Sequence, residues 1–322
     1  MRTIRILNSE PEDYCLQARE VLESFASVDY IPLNNNDISD IIHDYHILIV
    51  RLKNSINQRI VERAEKLLAV ATATTGTNHI DEVLLSERGI SVISLKGETE
   101  FLNNIFSTAE HTFLLILCVY RNLRLALNHL YKHKWYDSEL RGRELHGKNI
   151  GIIGYGRLGR MVAEMSRGFG INVCVFDVKE NLSFPDYIKR TTLEELLQTS
   201  DIVSIHIPLN KNNINFIDKA KMNMMKKGSV LINTSRGEVI DEKYLLKKLK
   251  DGYIAGAGLD VLSGEERNDF ILEENLLIRF SKENLNLVIT PHIGGAALDA
   301  VIKTDIFIAK KIKYFVENYN IN

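Results

Sequence analysis

The chain has 322 residues, of which 45% are hydrophobic and 25% charged, with 19 glycines and 5 prolines. This composition is typical of a globular protein and excludes collagen-like and disordered low-complexity classes, while the length favours two domains. Forty basic and 42 acidic residues give a net charge of −2, so we expect neither a nucleic acid nor an anionic membrane surface as a partner.

The three cysteines, Cys15, Cys118 and Cys174, form no CxxC pair and no Cys/His cluster. Such sparse cysteines are typical of a reducing compartment and do not indicate a metal site. Residues 1–7 are too short an apolar stretch for a secretory signal, and the apolar run at 112–120 is far shorter than the ~20 residues that span a bilayer. We therefore expect a cytoplasmic protein with no metal and no membrane segment, in which residues 112–120 form a buried helix.

The first hundred residues alternate short β-rich runs with helical patterns, which indicates βαβ units and a parallel sheet. The predicted elements are strands at 3–7, 46–50 and 67–72, helices at 12–25 and 57–66, and a polar loop at 34–36. A long, mostly apolar helix at 108–131 and a polar stretch at 137–148 then precede a second α/β unit.

In the second unit the pattern predicts strands at 149–153, 172–176, 202–207, 229–232, 254–259 and 287–289, with helices at 158–169, 193–198 and 243–250. Thr192 and Glu195 form a capping box at the start of the second of these helices. Leucines and lysines separate onto opposite faces of the third, so Lys247, Lys248 and Lys250 are interpreted as a solvated face. The fold class is α/β, with two doubly wound, Rossmann-like parallel-sheet domains.

Residues 154–159 read GYGRLG, a GxGxxG motif between a predicted strand and a predicted helix. In that context Gly154 permits the tight turn, Gly156 lets the backbone approach a pyrophosphate, and Gly159 lets the helix pack on the strand. The backbone amides of Arg157 and Leu158 would open the helix whose N-terminus holds the phosphates. The motif therefore predicts a dinucleotide site.

An acidic residue is expected about 20 positions after the last glycine, at the end of the next strand. Asp177 stands there, after VCVF. A carboxylate at this position accepts hydrogen bonds from the ribose hydroxyls and repels a 2′-phosphate. We therefore predict NAD rather than NADP as the cofactor.

Because ligands of an open parallel sheet lie beyond the carboxyl ends of its strands, the polar residues there are candidates for chemistry. These residues are His206 with Pro208, Thr234 with Ser235 and Arg236, Asp260 with Glu265, and His292 with Gly294. Arg236 could bind a carboxylate and polarise a ketone, while His292 donates a proton and Glu265 raises its pKa. Taken singly, the three could equally be a surface charge, a strand cap and a solvated carboxylate.

Five segments in this order make the chain resemble the D-isomer-specific 2-hydroxyacid dehydrogenase family, and within it phosphoglycerate dehydrogenase-type members. The segments are GKNIGIIGYGRLGRMVA, SDIVSIHIPLN, MKKGSVLINTSRGEVIDE, AGAGLDV and VITPHIGGA. The resemblance implies an NAD-dependent oxidoreductase that transfers a hydride between nicotinamide and a small D-2-hydroxy acid or 2-oxo acid, with 3-phosphoglycerate as one candidate. It also implies a homodimer with the 108–131 helix in its interface.

The resemblance further implies a catalytic Arg236–Glu265–His292 set and a substrate-binding domain at 1–103 plus 296–322, beside an NAD-binding domain at 104–295. The implied cofactor contacts are Arg157, Leu158, Asp177, Thr234, Ser235, Asp260 and Gly294, with His206 and Pro208 lining the cleft. Two features depart from the family pattern: Glu266 stands where proline usually follows the catalytic glutamate, and residues 95–104 replace a shorter, proline-containing stretch.

For the substrate, the turn at Thr75, Gly76 and Thr77 resembles the family loop whose amides bind a carboxylate. Arg51 and Lys53 follow the apolar run ILIV, where two cations could bind a phosphate, although Lys53 could equally be a solvated loop residue. Glyoxylate, hydroxypyruvate, a longer 2-oxo acid and a small inorganic or one-carbon anion stay open as substrates. An alternative of a different class is an NAD(H)-sensing binding module or scaffold with little turnover.

Overall fold

Twelve strands form two sheets in the computed structural model, which describes residues 4–266 and 270–319. The strands are β1 (Arg5–Asn8), β2 (Ser27–Tyr30), β3 (Ile47–Val50), β4 (Ala69–Thr72), β5 (Ser91–Ile93), β6 (Asn149–Ile153), β7 (Asn172–Phe176), β8 (Ile188–Arg190), β9 (Ile202–Ile205), β10 (Val230–Asn233), β11 (Gly256–Leu259) and β12 (Leu287–Ile289). The predicted boundaries of β6, β7 and β12 are confirmed. Thr3, the first residue of the first predicted strand, lies outside the described residues.

Helices connect these strands. They are α1 (Leu16–Glu23), α2 (Asn35–Ile41), α3 (Gln58–Arg63), α4 (Glu82–Glu87), α5 (Thr99–Leu102), α6 (Ser107–Tyr120), α7 (Leu123–Tyr131), α8 (Arg157–Gly168), α9 (Leu193–Thr199), α10 (Lys219–Met224), α11 (Glu242–Lys250), α12 (Leu276–Glu283) and α13 (Leu298–Asn318). The chain divides into two compact units, the first comprising Met1–Asn104 and Ala296–Asn322 and the second Ile105–Gly295.

The first unit contains a parallel sheet with the strand order β2-β1-β3-β4-β5. All four residues of β3 and of β4 are buried, which explains why these strands are continuous apolar runs rather than alternating ones. The polar loop predicted at 34–36 is wrong. Asn34 is the N-cap of α2, and its side chain accepts the backbone N–H groups of Asn36 and Asp37, so this asparagine run starts a helix.

The second unit contains a parallel sheet with the order β12-β11-β10-β9-β6-β7-β8. Its strands bury both faces, as β10 shows: Val230 and Ile232 pack into one hydrophobic cluster and Leu231 into the other. Strands β7 and β8 lie on one side of β6 and β9 to β12 on the other, so the direction of strand addition reverses between β6 and β9. A sheet of this kind binds its ligand at the carboxyl ends of the strands, at that reversal.

The single helix predicted at 108–131 is two helices, α6 and α7. Asn122 adopts a left-handed conformation with φ 51°, which asparagine tolerates better than most residues. The carbonyl of Tyr120 accepts the N–H of Arg143 at 2.7 Å, and the Asn122 amide donates to the carbonyl of Arg141 at 2.9 Å. The returning 141–143 segment therefore takes the Tyr120 carbonyl, which would have accepted the next helical N–H, and holds the side chain of Asn122 at the break.

The prediction that residues 112–120 form a buried helix is confirmed. The longer segment Thr99–Tyr120 has the length and composition that could cross a membrane. Within it, however, α6 packs Phe113, Leu115 and Ile116 into the core of the second unit. Burial in that core accounts for its apolar character.

Two local predictions differ in detail. Lys248 is 8% exposed, and its Nζ lies 3.8 Å from the centroid of the Tyr253 ring, so it is not part of a solvated face. A cation over an aromatic ring explains how the ammonium group is accommodated there.

Thr192 caps α9 by accepting the N–H of Glu195 at 3.2 Å, whereas the Glu195 carboxylate accepts from Lys189 and Thr191 instead of completing the capping box.

Candidate active site

The glycine-rich turn follows β6 and opens α8, as predicted. Gly154 has φ 93°, and a Cβ there would lie 2.5 Å from the carbonyl oxygen of His206. A Cβ on Gly159 would lie 2.0 Å from the carbonyl oxygen of Gly154. By contrast, a Cβ on Gly156, the N-cap of α8, would meet no atom within 4 Å, so this turn leaves space at the helix N-terminus where a phosphate binds.

Asp177 and His206 flank this turn. Asp177 follows β7, and its Oδ2 accepts the N–H of Tyr155 in the turn at 2.7 Å. His206 follows β9, and its Nε2 lies 2.8 Å from Ser204 Oγ. Burial lowers the pKa of His206 to about 4, so the ring is neutral near pH 7. Its buried Nδ1 has no hydrogen-bond partner among the described residues, which leaves a polar atom for a ligand beside the turn.

His292 and Glu265 form the central pair of the site. His292 Nδ1 lies 2.7 Å from Glu265 Oε1, and the other oxygen of Glu265 accepts the N–H of Leu262 at 3.0 Å. Burial acts to lower the pKa of His292, but the hydrogen bond and charge of Glu265 outweigh burial, so the pKa is raised. With Nδ1–H held by Glu265, the free Nε2 carries the proton that can be transferred.

Asp260 anchors the loop that carries His292. Its Oδ1 accepts the hydroxyl of Thr290 at 2.6 Å and the N–H of Ile293 at 2.9 Å, and its Oδ2 accepts the N–H of Gly294 at 2.7 Å. Burial acts to raise the pKa of Asp260, but the contact with His111, together with these three hydrogen bonds, lowers it further than burial raises it. The structure gives Asp260 this loop-holding role, and its predicted cofactor contact stays a prediction.

Arg236 follows β10 on a backbone fixed by a neighbour. The side-chain amide of Asn233 donates to the carbonyl of Arg236 at 2.8 Å, and its oxygen accepts the N–H of Ser235 at 3.0 Å. Arg236 Nη1 donates to the carbonyl of Ser235 at 2.7 Å. A Cβ on Gly237 would lie 2.0 Å from the backbone of Leu262, so only glycine lets the Arg236 loop pack against the loop of Glu265.

Two carboxylates that the sequence reasoning missed hold the Glu265 loop from α11 and the turn before it. Glu242 Oε1 accepts the N–H of Ser263 at 2.7 Å, and Glu238 Oε1 accepts the N–H of Gly264 at 2.9 Å. Both residues lie in the segment RGEVIDE that carried the resemblance. Their pattern gave no signal, because the partners are backbone groups more than 20 residues away.

Glu242 is expected to make the protein less stable as the pH rises. Burial and the charges of Glu238 and Glu265 raise its pKa from 4.5 to about 7, against the opposing hydrogen bond from Ser263. The folded state thus binds this proton more tightly than the unfolded state, so the stabilisation is present below pH 4.5 and is lost as the pH rises towards 7. Urea unfolding at pH 5 and pH 8 should differ by up to about 3 kcal/mol from this group alone.

Glu242→Gln should remove that part of the pH dependence. The matched control is Glu283→Gln, at an exposed position of α12, which should leave the dependence as in the wild type. A Glu242→Gln variant whose stability falls between pH 5 and pH 8 as steeply as that of the wild type would contradict this account.

Glu266, the residue in place of the family proline, lies beside this cluster. Its Oε1 is buried and has no hydrogen-bond partner among residues 4–266 and 270–319. Burial raises its pKa, while the charges of Arg236 and His292 act to lower it. Glu266 is therefore close enough to the Arg236–Glu265–His292 set to interact with it electrostatically.

The predicted substrate residues lie in the first unit, after neighbouring strands β3 and β4. Arg51 Nη2 donates to both carboxylate oxygens of Asp305, at 2.9 and 2.7 Å, and Asp305 is fully buried. The N–H of Lys53 donates to Glu10 at 3.1 Å, and its Nζ lies 3.7 Å from Glu12. Both predicted phosphate-binding cations thus have carboxylate neighbours that the sequence reasoning did not foresee.

The turn after β4 is held by its own side chains. Thr74 Oγ1 donates to the carbonyl of Gly76 at 2.7 Å, and Thr77 Oγ1 donates to Glu82. Thr75 lies between them. The structure therefore brings Arg51, Lys53 and this turn to one edge of the five-stranded sheet, and their contact with a substrate stays a prediction.

The other predicted site residues lie at the carboxyl edge of the seven-stranded sheet. Thr234 Oγ1 lies 2.8 Å from Thr112 Oγ1, Arg157 Nη1 donates to the carbonyl of Ile105 at 3.1 Å, and Leu158 packs on the core. Pro208 is exposed. Within the described ranges no group of three or more His, Cys, Asp or Glu side chains could hold a metal ion.

A doubly wound sheet with a glycine-rich turn that has room at its helix N-terminus defines an NAD-binding class of fold. An arginine, a carboxylate and a histidine follow strands at the same sheet edge. Residues 113–294 match the family model described as "D-isomer specific 2-hydroxyacid dehydrogenase, NAD binding domain". The chain belongs to this family, and the resemblance drawn from its motifs is confirmed.

Curated relatives agree. The chain is 31% identical to D-3-phosphoglycerate dehydrogenase of Bacillus subtilis over 90% of its own length and 53% of the relative. It is 31% identical to hydroxypyruvate reductase of Thermotoga maritima, over 87% of this chain and 88% of the relative. The chain thus spans about half the length of the Bacillus relative.

Among solved structures, D-lactate dehydrogenase of Aquifex aeolicus, complexed with NAD and lactic acid, superposes with a TM-score of 0.84. It is 28% identical, and the match covers 97% of this chain and 95% of that one. The predicted α/β fold class and NAD as cofactor are confirmed. The alternative of an NAD(H)-sensing module with little turnover is not supported.

Proposed function

We propose that this protein catalyses reversible, NAD-dependent hydride transfer between a small D-2-hydroxy acid and its 2-oxo acid. The observation that carries the proposal is the 2.7 Å contact between His292 and Glu265, which lies at the same sheet edge as Arg236 and the glycine-rich turn. A histidine held by a carboxylate beside an arginine suits proton transfer to the oxygen of a carboxylate-bearing substrate.

The residues present fit NAD. The open space at Gly156 and the carboxylate of Asp177 at the end of β7 are features that such a dinucleotide requires. The unpartnered Nδ1 of His206 is a further polar atom that can contact it. When bound, NAD supplies the hydride acceptor or donor. We propose that the glycine-rich turn and Asp177 hold its pyrophosphate and ribose, with the residues after β9, β10 and β11 lining the rest.

The roles of the side chains follow from their chemistry. Arg236 binds the substrate carboxylate with its two-pronged guanidinium and stabilises charge on the reacting oxygen. In reduction, His292 Nε2–H donates its proton to that oxygen, and in oxidation the neutral ring accepts it. Glu265 holds Nδ1–H, which sets the tautomer and stabilises the imidazolium form.

The first experiment is the rate of NADH oxidation by the purified protein across a panel of 2-oxo acids. Hydroxypyruvate and 3-phosphohydroxypyruvate are the informative pair because they differ only in the phosphate. We propose that the unphosphorylated acid is preferred, since Asp305 already neutralises Arg51 and Glu12 lies near Lys53. Preference for the phosphorylated acid would restore the 3-phosphoglycerate assignment, and turnover of no panel member would refute the proposed function.

Asp177 is expected to set the preference for NADH over NADPH. Asp177→Asn keeps an oxygen that can accept the N–H of Tyr155 but removes the charge that repels a 2′-phosphate. The ratio of kcat/KM for NADH to that for NADPH should fall on the order of 100-fold, since juxtaposed like charges cost several kcal/mol. Asp186→Asn, at an exposed position, is the control and should leave the ratio unchanged; an unchanged ratio in Asp177→Asn would remove this role.

We also propose a homodimer that forms through an apolar surface on and after α7. Its members are exposed large side chains, all 40% exposed or more: Leu123, Leu127, Leu130, Tyr131, Trp135 and Tyr136. Leu123, Leu127 and Leu130 recur at helical spacing on one face of α7, and a large exposed apolar surface typically marks an interface. Leu127→Glu combined with Leu130→Glu should give a monomer by light scattering, whereas Val83→Glu on α4 should not; a wild-type monomer at micromolar concentration would refute the dimer.

We propose a cytoplasmic location, which the three free cysteines support. Thiols that remain unpaired suit a reducing compartment.

A further inference from the structure

His111, on α6, lies next to the loop that carries His292 and has no role in the proposed mechanism. His111 projects from the polar first half of this helix, and its side chain is 9% exposed. Its Nε2 lies 2.9 Å from Thr290 Oγ1 and 3.2 Å from Asp260 Oδ1. A histidine in such a buried position is maintained by specific hydrogen bonds, because burial of a polar ring without them is costly.

The donors and acceptors among His111, Thr290 and Asp260 can be assigned. Asp260 is ionised, since its hydrogen bonds lower its pKa, and an ionised carboxylate only accepts. The Thr290 hydroxyl therefore donates to Asp260 Oδ1, at 2.6 Å. The lone pairs of Thr290 Oγ1 then face His111, so Nε2 of His111 carries the proton and donates it. A chain of hydrogen bonds therefore runs in one direction: His111 on α6 donates to Thr290, and Thr290 donates to Asp260.

This chain ends at the backbone of His292. His292 has φ 54°, a left-handed conformation that is strained in a residue other than glycine and persists only where the surroundings enforce it. Its own N–H donates to the carbonyl of Asp260 at 2.8 Å, and the N–H of Ile293 donates to the carboxylate. Glu265 thus holds the imidazole ring of His292, whereas Asp260 holds the main chain at His292 and Ile293.

We propose that His111, acting through Thr290 and Asp260, is a positioning residue that fixes the backbone of His292 and thereby aims its Nε2–H at the reacting oxygen. The proposal rests on the proposed function of His292 as proton donor. In this proposal His111 does not touch the substrate. It ties the loop at 290–294, which carries His292, to α6, one of the most deeply buried helices of the second unit.

The test uses two matched pairs in the full chain. His111→Leu and Thr290→Val break the chain of hydrogen bonds, whereas His111→Gln and Thr290→Ser retain a donor at each position. We expect the first two to lower kcat for reduction about tenfold or more, as a small misplacement of a reacting group does, with the KM for NADH unchanged. Loosening of the contact between His292 and Glu265 should also move the alkaline limb of the pH profile to lower pH. The conservative variants should stay close to the wild type.

A merely structural role would lower the melting temperature of all four variants without changing kcat per folded molecule or the pH profile. That outcome would overturn the proposal, as would equal losses in the disruptive and conservative variants. Titration of the His292 ring by NMR in the absence of substrate, assigned with His292→Gln, gives a second readout. A lower His292 pKa in His111→Leu supports positioning even where the wild type reduces no tested acid, which separates this proposal from the proposed function.

Discussion

Replacing His292 by glutamine is expected to lower kcat/KM for reduction of the preferred 2-oxo acid on the order of 10³-fold, the usual contribution of a positioned general acid. Glutamine retains a hydrogen-bonding amide near Glu265 but has no proton to transfer at neutral pH. The loss should fall on kcat, since the proposed role of His292 is in the transition state, and the dissociation constant for NADH should stay near the wild-type value.

The pH profile distinguishes this role from a structural one. Reduction requires protonated His292, so the rate should fall as the pH rises through its pKa, which the hydrogen bond and charge of Glu265 raise. Glu265→Gln removes that charge and should move the alkaline limb to lower pH, while reduction at pH 5.5 stays closer to the wild type than at pH 8. A His292→Gln enzyme within tenfold of the wild type, or an unshifted limb in Glu265→Gln, would show that another group donates the proton.

Local sequence patterns predicted the limits of an element correctly where interactions within that element determine them. The apolar runs of β6, β7 and β12 are bounded by polar residues and turn signals, and their limits agree with the prediction. The break between α6 and α7 could not be predicted in the same way. It depends on the return of residues 141–143 to the end of α6, a contact that no periodicity within the helix encodes.

In the candidate site, too, local patterns predicted some residues and missed those that depend on distant contacts. Strand ends and the resemblance placed Arg236, Glu265 and His292, and the structure shows the contact between Glu265 and His292 directly. The supporting groups were missed because they act across the fold. His111 and Thr290, for instance, are 179 positions apart in sequence, and their hydrogen bond depends on the packing of α6 against the carboxyl end of β12.

Arg51, in the first unit, shows most clearly that the type of a residue does not determine its role. An arginine after an apolar strand is a good anion ligand in isolation, and Arg51 was predicted on that ground. The carboxylate that binds it comes from α13, at the other end of the chain. Nη2 of Arg51 donates to both oxygens of this fully buried aspartate, and sequence alone offers no means of pairing two residues 254 positions apart.

Replacing Arg236 by glutamine is expected to lower kcat/KM for any 2-oxo acid about 10³-fold, in the range that removal of one partner of a buried, hydrogen-bonded charge pair costs. The guanidinium is held for this task, because Asn233 fixes its backbone and Ser235 accepts one of its N–H groups. Arg236→Lys keeps the charge but not the planar fork, so it should recover only part of the loss.

Two further measurements make this prediction specific to the substrate carboxylate. The KM for the 2-oxo acid should rise steeply in Arg236→Gln while the dissociation constant for NADH changes little, because the proposed role of the guanidinium is to bind the acid and not the cofactor. Added guanidinium ion should restore activity to Arg236→Gln, since it can occupy the space left by the side chain and bind the carboxylate.

Arg279→Gln on α12 is the matched control for loss of a positive charge in the same unit. If Arg236→Gln loses activity only through a lower kcat at saturating acid, with an unchanged KM, Arg236 acts on the reacting oxygen alone and the carboxylate is bound elsewhere.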